Sequence, residues 1–298
     1  MIEFLRSDLE AELKAKLRLD CRLILFGSAG NGFGLASSDA DMCLRLYGDA
    51  EPEVTLSSGL FPLVHVKFYY FSISLYNELA IMNTQLLRAY CDVDERVAKL
   101  GIALKEWAKA CDIGDASKGS LSSYSYIIML IHFLQRSDPP VLPFLQEVDC
   151  FSWARGRKKV PHIWEFSNKE ETGKLWVDFL DYFTRVFDFR NDVIQIRQRD
   201  SLAKLDKGWQ AKPMAIEDPF DLNHNLSSGI HRKSFEHFHY TSGFQNQLYK
   251  SCLVEDGLPL DRNCCRKCHQ IGHFVENCPF IKKSSRLVRC FGILFYLY

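Results

Sequence analysis

The feature that most constrains this chain is the run Phe26-Gly27-Ser28-Ala29-Gly30-Asn31-Gly32-Phe33-Gly34, followed closely by Ser38-Asp39-Ala40-Asp41. Upstream of it, Cys21-Arg22-Leu23-Ile24-Leu25-Phe26 has the pattern of a short buried strand, which the glycines end in a loop. A Gly-Ser turn that ends a strand and opens a helix presents backbone amides to an anion such as a triphosphate. Downstream, Ala40 to Leu46 reads as a second strand with Asp39 and Asp41 at its start. Side chains alternate along a strand, so the two carboxylates project from one side. Oxygens paired in this way clamp hard divalent cations such as Mg²⁺. Amides that hold phosphate and a metal that neutralises charge are what phosphoryl transfer requires.

Around this run the chain reads as strands first, then helices, then a cysteine cluster. Leu5, Leu9, Leu13 and Leu17 recur every fourth residue and predict an amphipathic helix over 2–17. Val64 to Leu75 is rich in valine, phenylalanine, tyrosine and isoleucine and predicts a strand. Helices are expected over 77–90, 94–111, 120–134 and 174–189, with caps at Asp94 and at Ser120 or Ser122. Pro139, Pro140 and Pro143 break the chain before the last of these.

With 298 residues, 47% of them hydrophobic, the chain is long enough for one large domain or two ordinary ones. Lysine plus arginine equal aspartate plus glutamate at 37 each, which excludes a uniformly basic nucleic-acid binder. The balance hides opposed halves: residues 1–60 carry six basic and ten acidic side chains, residues 261–298 seven basic and two acidic. An acidic front and a basic tail suit a cation site joined to a polyanion site. Seven of the eleven cysteines are scattered singly among apolar neighbours, and no signal peptide is read. Reduced thiols and a cytoplasmic or nuclear location are the expectation. The apolar run 290–298 is too short for a membrane helix, so no membrane segment is expected.

The order strand, Gly27-Ser28, Asp39-Ala40-Asp41 resembles the signature of the polymerase-β-like nucleotidyltransferases. Further blocks extend the likeness, namely Ile73-Ser74-Leu75-Tyr76-Asn77, Asn83-Thr84, Gly119 to Tyr124, and Ile216-Glu217-Asp218-Pro219-Phe220-Asp221-Leu222-Asn223-His224-Asn225. They resemble non-canonical poly(A) polymerases, and among these most of all the zinc-knuckle-bearing terminal uridylyltransferases that tail RNA in animal cells. The resemblance spans roughly Leu17 to Pro279.

This resemblance implies an α+β fold: a polymerase-β-like mixed sheet, here shortened, a helical PAP-associated domain and a CCHC zinc knuckle. The corresponding boundaries are 1–80 for the nucleotidyltransferase domain, 81–250 for the helical domain, 263–280 for the knuckle and 281–298 for a tail. It also implies roles. Asp39 and Asp41 would hold Mg²⁺ or Mn²⁺, Gly27 and Ser28 the triphosphate, and Asn83 and Thr84 the ribose. Lys105, Lys109 and Ser123 would meet phosphates, and Tyr124 would stack on the base. Asp218, Asp221 and His224 would choose UTP over ATP. The implied acceptor is the 3′ end of single-stranded RNA, with RNA-binding adaptor proteins as further partners and no DNA. A poly(A) polymerase of the same family is the alternative if ATP is preferred.

One position departs from the pattern. The family places a third aspartate immediately before the Ile-Ser-Leu-Tyr-Asn block, where this chain has Ser72. The stretch between the second strand and Val66 is also shorter than usual, as is the hairpin from Phe68 to Ser72. Serine supplies a hydrogen bond but no charge, so the expectation is either an inactive relative or an incomplete product of an active gene. Glu78, which shares strand parity with Ser72, is a candidate substitute if the strand runs on.

Near the end, Cys265, Cys268, His273 and Cys278 have the spacing C-x₂-C-x₄-H-x₄-C. Three thiolates and an imidazole form the closed tetrahedral shell of structural Zn²⁺. Modules of this kind bind single-stranded RNA through exposed bases, and Arg266, Lys267, Lys282, Lys283, Arg286 and Arg289 lie around it in sequence. The basic run Arg155 to Lys159 is a second candidate contact with RNA.

Overall fold

The structure is a computed structural model that describes residues 2–17, 20–34, 38–47, 66–68, 71–148 and 167–252. The zinc-knuckle residues 265–278, the tail 281–298 and the basic run 155–159 lie outside the described residues.

The first part of the chain builds a mixed sheet. Helix α1 (Ile2–Leu17) leads into β1 (Asp20–Phe26), then the short helix α2 (Ser28–Asn31), β2 (Ala40–Tyr47), β3 (Val66–Phe68) and β4 (Phe71–Leu75). The strand order is β1-β2-β4-β3. β1 and β2 are antiparallel, β2 and β4 parallel, β3 and β4 antiparallel. The apolar run 64–75 is thus not one strand: it folds back on itself, pairing Val66 with Ile73 and Phe68 with Phe71.

Alternation along β2 sends Ala40 and Met42 into the core with Leu23, and Leu9, Leu13, Leu25, Leu44 and Ile73 pack against them. Of the leucines expected on one face of α1, Leu9 and Leu13 therefore do packing of this kind, whereas Leu5 is exposed. α1 also closes the open edge of the sheet. Leu23 sends its backbone amide to Glu10 Oε2 at 3.0 Å and receives Arg6 Nη1 on its carbonyl at 3.2 Å. Arg6 and Glu10 in turn bond each other at 2.9 Å. Side chains replace a neighbouring strand there, which removes a site for edge-to-edge pairing.

Helices follow: α3 (Glu78–Val93), α4 (Glu95–Ala110), α5 (Ser123–Arg136), α6 (Leu145–Val148), α7 (Thr172–Asp181), α8 (Lys204–Lys207) and α9 (Arg232–Cys252). Asn77 caps α3 by accepting the Ala80 amide, and Ser122 rather than Ser120 caps α5 by accepting that of Ser125. Ser120 instead bonds the Ile113 carbonyl.

The chain divides into two compact units at Ala98 and Lys99, with α6 belonging to the first. The boundary expected at 80/81 is displaced because α3 is bound to the glycine loop: Thr84 bonds Gly27, and a side chain at Gly30 would meet Thr84 at 2.8 Å.

The second unit is built on α5, whose residues 125–135 are all buried. Trp107 packs edge-on against Tyr126, Trp176 and Phe238. The helix expected over 174–189 stops early, at Asp181, and continues as a π-helical turn over Tyr182–Val186. Phe187 closes that turn by donating its amide to the Tyr182 carbonyl at 2.8 Å. The wider turn places Tyr182, Phe183 and Phe187 around His132, which is buried.

Candidate active site

The residues singled out in the sequence fall into two groups, one in each unit. In the first, β1 delivers the chain to Gly27, and Phe26 pairs with Asp41 across β1 and β2. Gly27 has φ +64° and ψ −149°, a conformation that a side chain makes costly. A Cβ there would lie 2.8 Å from Asp41 Oδ2. The glycine therefore lets the turn of the loop come directly against a carboxylate.

Both ends of the Gly27 peptide are held. Its amide donates to Thr84 Oγ1 at 2.9 Å, and its carbonyl accepts the amides of Gly30 and Asn31 at 3.1 and 3.0 Å. Thr84 is buried and donates its own hydroxyl to the Ala80 carbonyl at 2.7 Å. This loop-holding part played by Thr84 has no local signal, since the two residues are far apart in sequence. Ser28 opens α2, and Asn83 precedes Thr84 on α3.

Asp39 is exposed and Asp41 half-buried, on the face of β2 opposite to the buried Ala40 and Met42. Asp41 pairs with Ser72 across β2 and β4, and the Ser72 hydroxyl donates to Asp41 Oδ1. The residue that fills the third carboxylate position is therefore bound to one of the other two. Glu78 does not substitute for it. β4 ends at Leu75, Glu78 opens α3, and its carboxylate forks onto the Arg45 guanidinium, whose pKa this pairing raises.

Two carboxylates are hard oxygen donors of the kind divalent cations take, and would need further oxygens to complete a shell. Among the described residues no group of three or more histidine, cysteine, aspartate or glutamate side chains could hold a metal ion.

In the second group, Lys105 and Lys109 share one face of α4, the first half-buried and the second exposed. Burial lowers the Lys105 pKa, and the like charge of Lys109 acts in the same direction. Ser123 is exposed at the start of α5. The next residue, Tyr124, is half-buried, with its hydroxyl 3.5 Å from Asp218 Oδ2. Burial and the neighbouring Asp218 charge hold its pKa far above the ordinary value, so the phenol stays a neutral donor.

Asp218 is buried, and its Oδ1 accepts the amides of Phe220 and Asp221 at 2.9 and 3.0 Å. The amide of His224 reaches the Asp221 carbonyl at 2.9 Å, and that of Asp218 the His224 carbonyl at 3.2 Å. The result is a closed turn that exposes Asp221 and His224, three residues apart in the chain. Asn225 Oδ1 fastens the base of the turn by accepting from the Ile216 amide, the Ser227 amide and the Ser227 hydroxyl. Asn225 is legible in the sequence only as the neighbour of a histidine, because two of its three donors are backbone amides.

The chain is similar to known proteins in sequence and in fold. Residues 171–224 match the family described as Cid1 family poly A polymerase, and residues 2–58 the central palm domain of mitochondrial-like poly(A) RNA polymerase. Terminal uridylyltransferase 4 of Homo sapiens is 37% identical over 333 aligned positions, covering 90% of this chain and 20% of the relative. The chain thus spans about a fifth of that protein, and since 333 positions exceed 298 residues the relative carries segments that this chain lacks. Poly(A) RNA polymerase GLD2-B of Xenopus laevis is 32% identical over 78% of this chain and 52% of its own length. A structure of the Cid1 poly(U) polymerase with Mg and 3′-dATP superposes with a TM-score of 0.72 at 26% identity, covering 83% of this chain and 87% of that one. Cid1 has also been solved with its short product ApU. By its sequence and its fold, the chain belongs to the Cid1 family of poly(A) and poly(U) polymerases.

Proposed function

We propose that the chain is an RNA 3′-terminal uridylyltransferase domain whose transfer step is severely slowed by serine at position 72. The observation that carries this reading is the Asp41 carboxylate, set against Gly27 on one side and bonded by Ser72 on the other. In the reaction, the RNA 3′-hydroxyl oxygen attacks the α-phosphorus of UTP, its proton is removed, and pyrophosphate leaves. A divalent ion held by Asp39 and Asp41 supplies charge neutralisation at the phosphates.

The chain's own groups have separate tasks. In the first unit Gly27 and Ser28 let phosphate approach the backbone closely, and in the second Lys105, Lys109 and Ser123 are groups suited to phosphate charge. Tyr124 offers a ring for the base, and stacking of that kind contributes about 1–3 kcal/mol without choosing among bases. The exposed turn of Asp221 and His224, backed by the buried Asp218, supplies the choice. Preference for uridine is supported by the closer likeness to terminal uridylyltransferase 4, at 37% identity, than to GLD2-B, at 32%.

What is weakened is the removal of the proton. Ser72 adds no negative charge, and its hydroxyl donates to the very carboxylate that would share the task. General-base assistance is worth about 10²–10⁴-fold, which sets the expected deficit. Cys265, Cys268, His273 and Cys278 add a proposed Zn²⁺ module for RNA, supported by their spacing alone. The test is extension of a labelled single-stranded RNA with each of the four NTPs and Mg²⁺, comparing the chain with its Ser72→Asp variant.

A further inference from the structure

The turn that carries Asp221 and His224 is held from outside by one lysine. Lys207, at the end of α8, donates its ammonium to the Leu222 carbonyl at 2.5 Å, and no other side chain of α8 reaches that turn among the described bonds. The same ammonium lies 2.7 Å from Glu217 Oε1 and 5.3 Å from the Trp209 ring centre. An ammonium has three protons, so the ion pair with Glu217 and the donation to the Leu222 carbonyl are made together.

Glu217 is 1% exposed and has Arg197 as a second cation at 3.4 Å. A buried carboxylate of this kind needs its cations, which fixes Lys207 in place. Neighbouring residues in extended chain face opposite ways, and here Glu217 turns towards Lys207 and Arg197 while Asp218 turns towards Tyr124.

The support is rigid in its turn. α8 has only four residues, and its first, Lys204, is buried with its ammonium donating to the carbonyls of Phe189, Lys212 and Pro213 at 2.6, 2.7 and 3.3 Å. One buried lysine anchors the short helix, and the other extends from its end to the exposed turn.

We propose that Lys207 is a specificity-positioning residue: by tethering Leu222 to the buried Glu217 it fixes Asp221 and His224, and selection of uracil over adenine depends on that tether. The inference rests on the uridylate reading above, and it assigns to Lys207 no contact with nucleotide. Loss of the tether frees the turn on the side away from Asn225, so UTP loses its matched partners while ATP, which gains nothing from them, is little affected.

The test is equilibrium binding of UTP and of ATP, each with Mg²⁺ and without RNA, to the full chain and its variants by calorimetry. Lys207→Met keeps the side-chain stem and removes the ammonium; the ratio of ATP to UTP dissociation constants is expected to fall about tenfold. Lys207→Arg, which keeps a cation and donors, is expected to preserve most of the ratio. Lys207→Met combined with Glu217→Gln leaves no unpaired buried charge, and is expected to regain stability without regaining selectivity. A selective parent chain whose ratio survives both lysine-to-methionine variants overturns the role of Lys207 alone. A parent chain that binds UTP and ATP alike overturns the uridylate reading, and the tether's role with it.

Discussion

Ser72 stands directly across from Asp41 in the parallel pairing of β2 and β4, and its hydroxyl donates to the Asp41 carboxylate. Opposite positions on neighbouring strands are close enough for charges to interact strongly. A carboxylate in place of the hydroxyl would face Asp41 with like charge and invite a cation. Ser72→Asp is therefore expected to lower stability by about 0.2–1 kcal/mol in chelator and to regain it when Mg²⁺ is added. Thermal melts with and without the ion read this directly; an equal response to Mg²⁺ in both proteins would count against the geometry.

Gly27 admits no side chain without cost. Its positive φ and the 2.8 Å approach to Asp41 Oδ2 predict that Gly27→Ala loses about 1–3 kcal/mol from strain. UTP affinity should fall with it, because the loop must move away from the carboxylate to make room. Denaturant unfolding and nucleotide titration of the same variant check both halves.

Thr84 holds the Gly27 amide through its hydroxyl. Thr84→Val keeps the shape and removes the acceptor, which should cost about 1–3 kcal/mol for a polar group left without its partner. Thr84→Ser should restore most of that stability. If valine and serine behave alike in unfolding experiments, the hydroxyl is not what holds the loop.

His132 predicts a pH dependence. Burial, with Arg136 adding to it, lowers its pKa to about 3, while one ring nitrogen meets the Gln195 carbonyl at 2.7 Å and the other the Tyr182 hydroxyl at 3.2 Å. The unfolded chain binds a proton below about pH 6.5 that the folded chain refuses. Stability should thus be independent of this group above that pH and fall as the pH drops from there towards 3, with a slope of at most about 1.4 kcal/mol per pH unit. Urea midpoints between pH 7 and 5 should decline more steeply for the parent chain than for His132→Asn.

The cysteine cluster carries a prediction from sequence. The purified chain should hold one equivalent of zinc by elemental analysis, as a three-thiolate, one-imidazole set requires. Cys268→Ser should release the metal and weaken binding of single-stranded RNA, with nucleotide affinity unaltered.

The parts of the fold that sequence disclosed are those set by neighbours in the chain. The strand before Gly27, the carboxylates flanking Ala40 and the leucines of α1 follow from local period, and each falls in its expected element. The reversal within residues 64–75 showed only through the family resemblance, as the hairpin from Phe68 to Ser72, because two short apolar strands have the same composition as one long strand. The end of α7 at Asp181 was hidden by aromatic residues that suit a π turn as well as an α-helix. Long-range holding contacts were hidden altogether. Thr84 on Gly27, Lys204 on three carbonyls and Lys207 on Leu222 join a side chain to distant backbone, and a backbone partner leaves no mark in the sequence.

The most direct measurement of the central claim is the initial rate of single-stranded RNA extension by the chain and by Ser72→Asp, with Mg²⁺ and each NTP in separate reactions. The account predicts that Ser72→Asp extends RNA with UTP in preference to ATP, about 10²–10⁴-fold faster than the parent chain. Equal rates for the two proteins, or no extension by Ser72→Asp with any nucleotide, would contradict it.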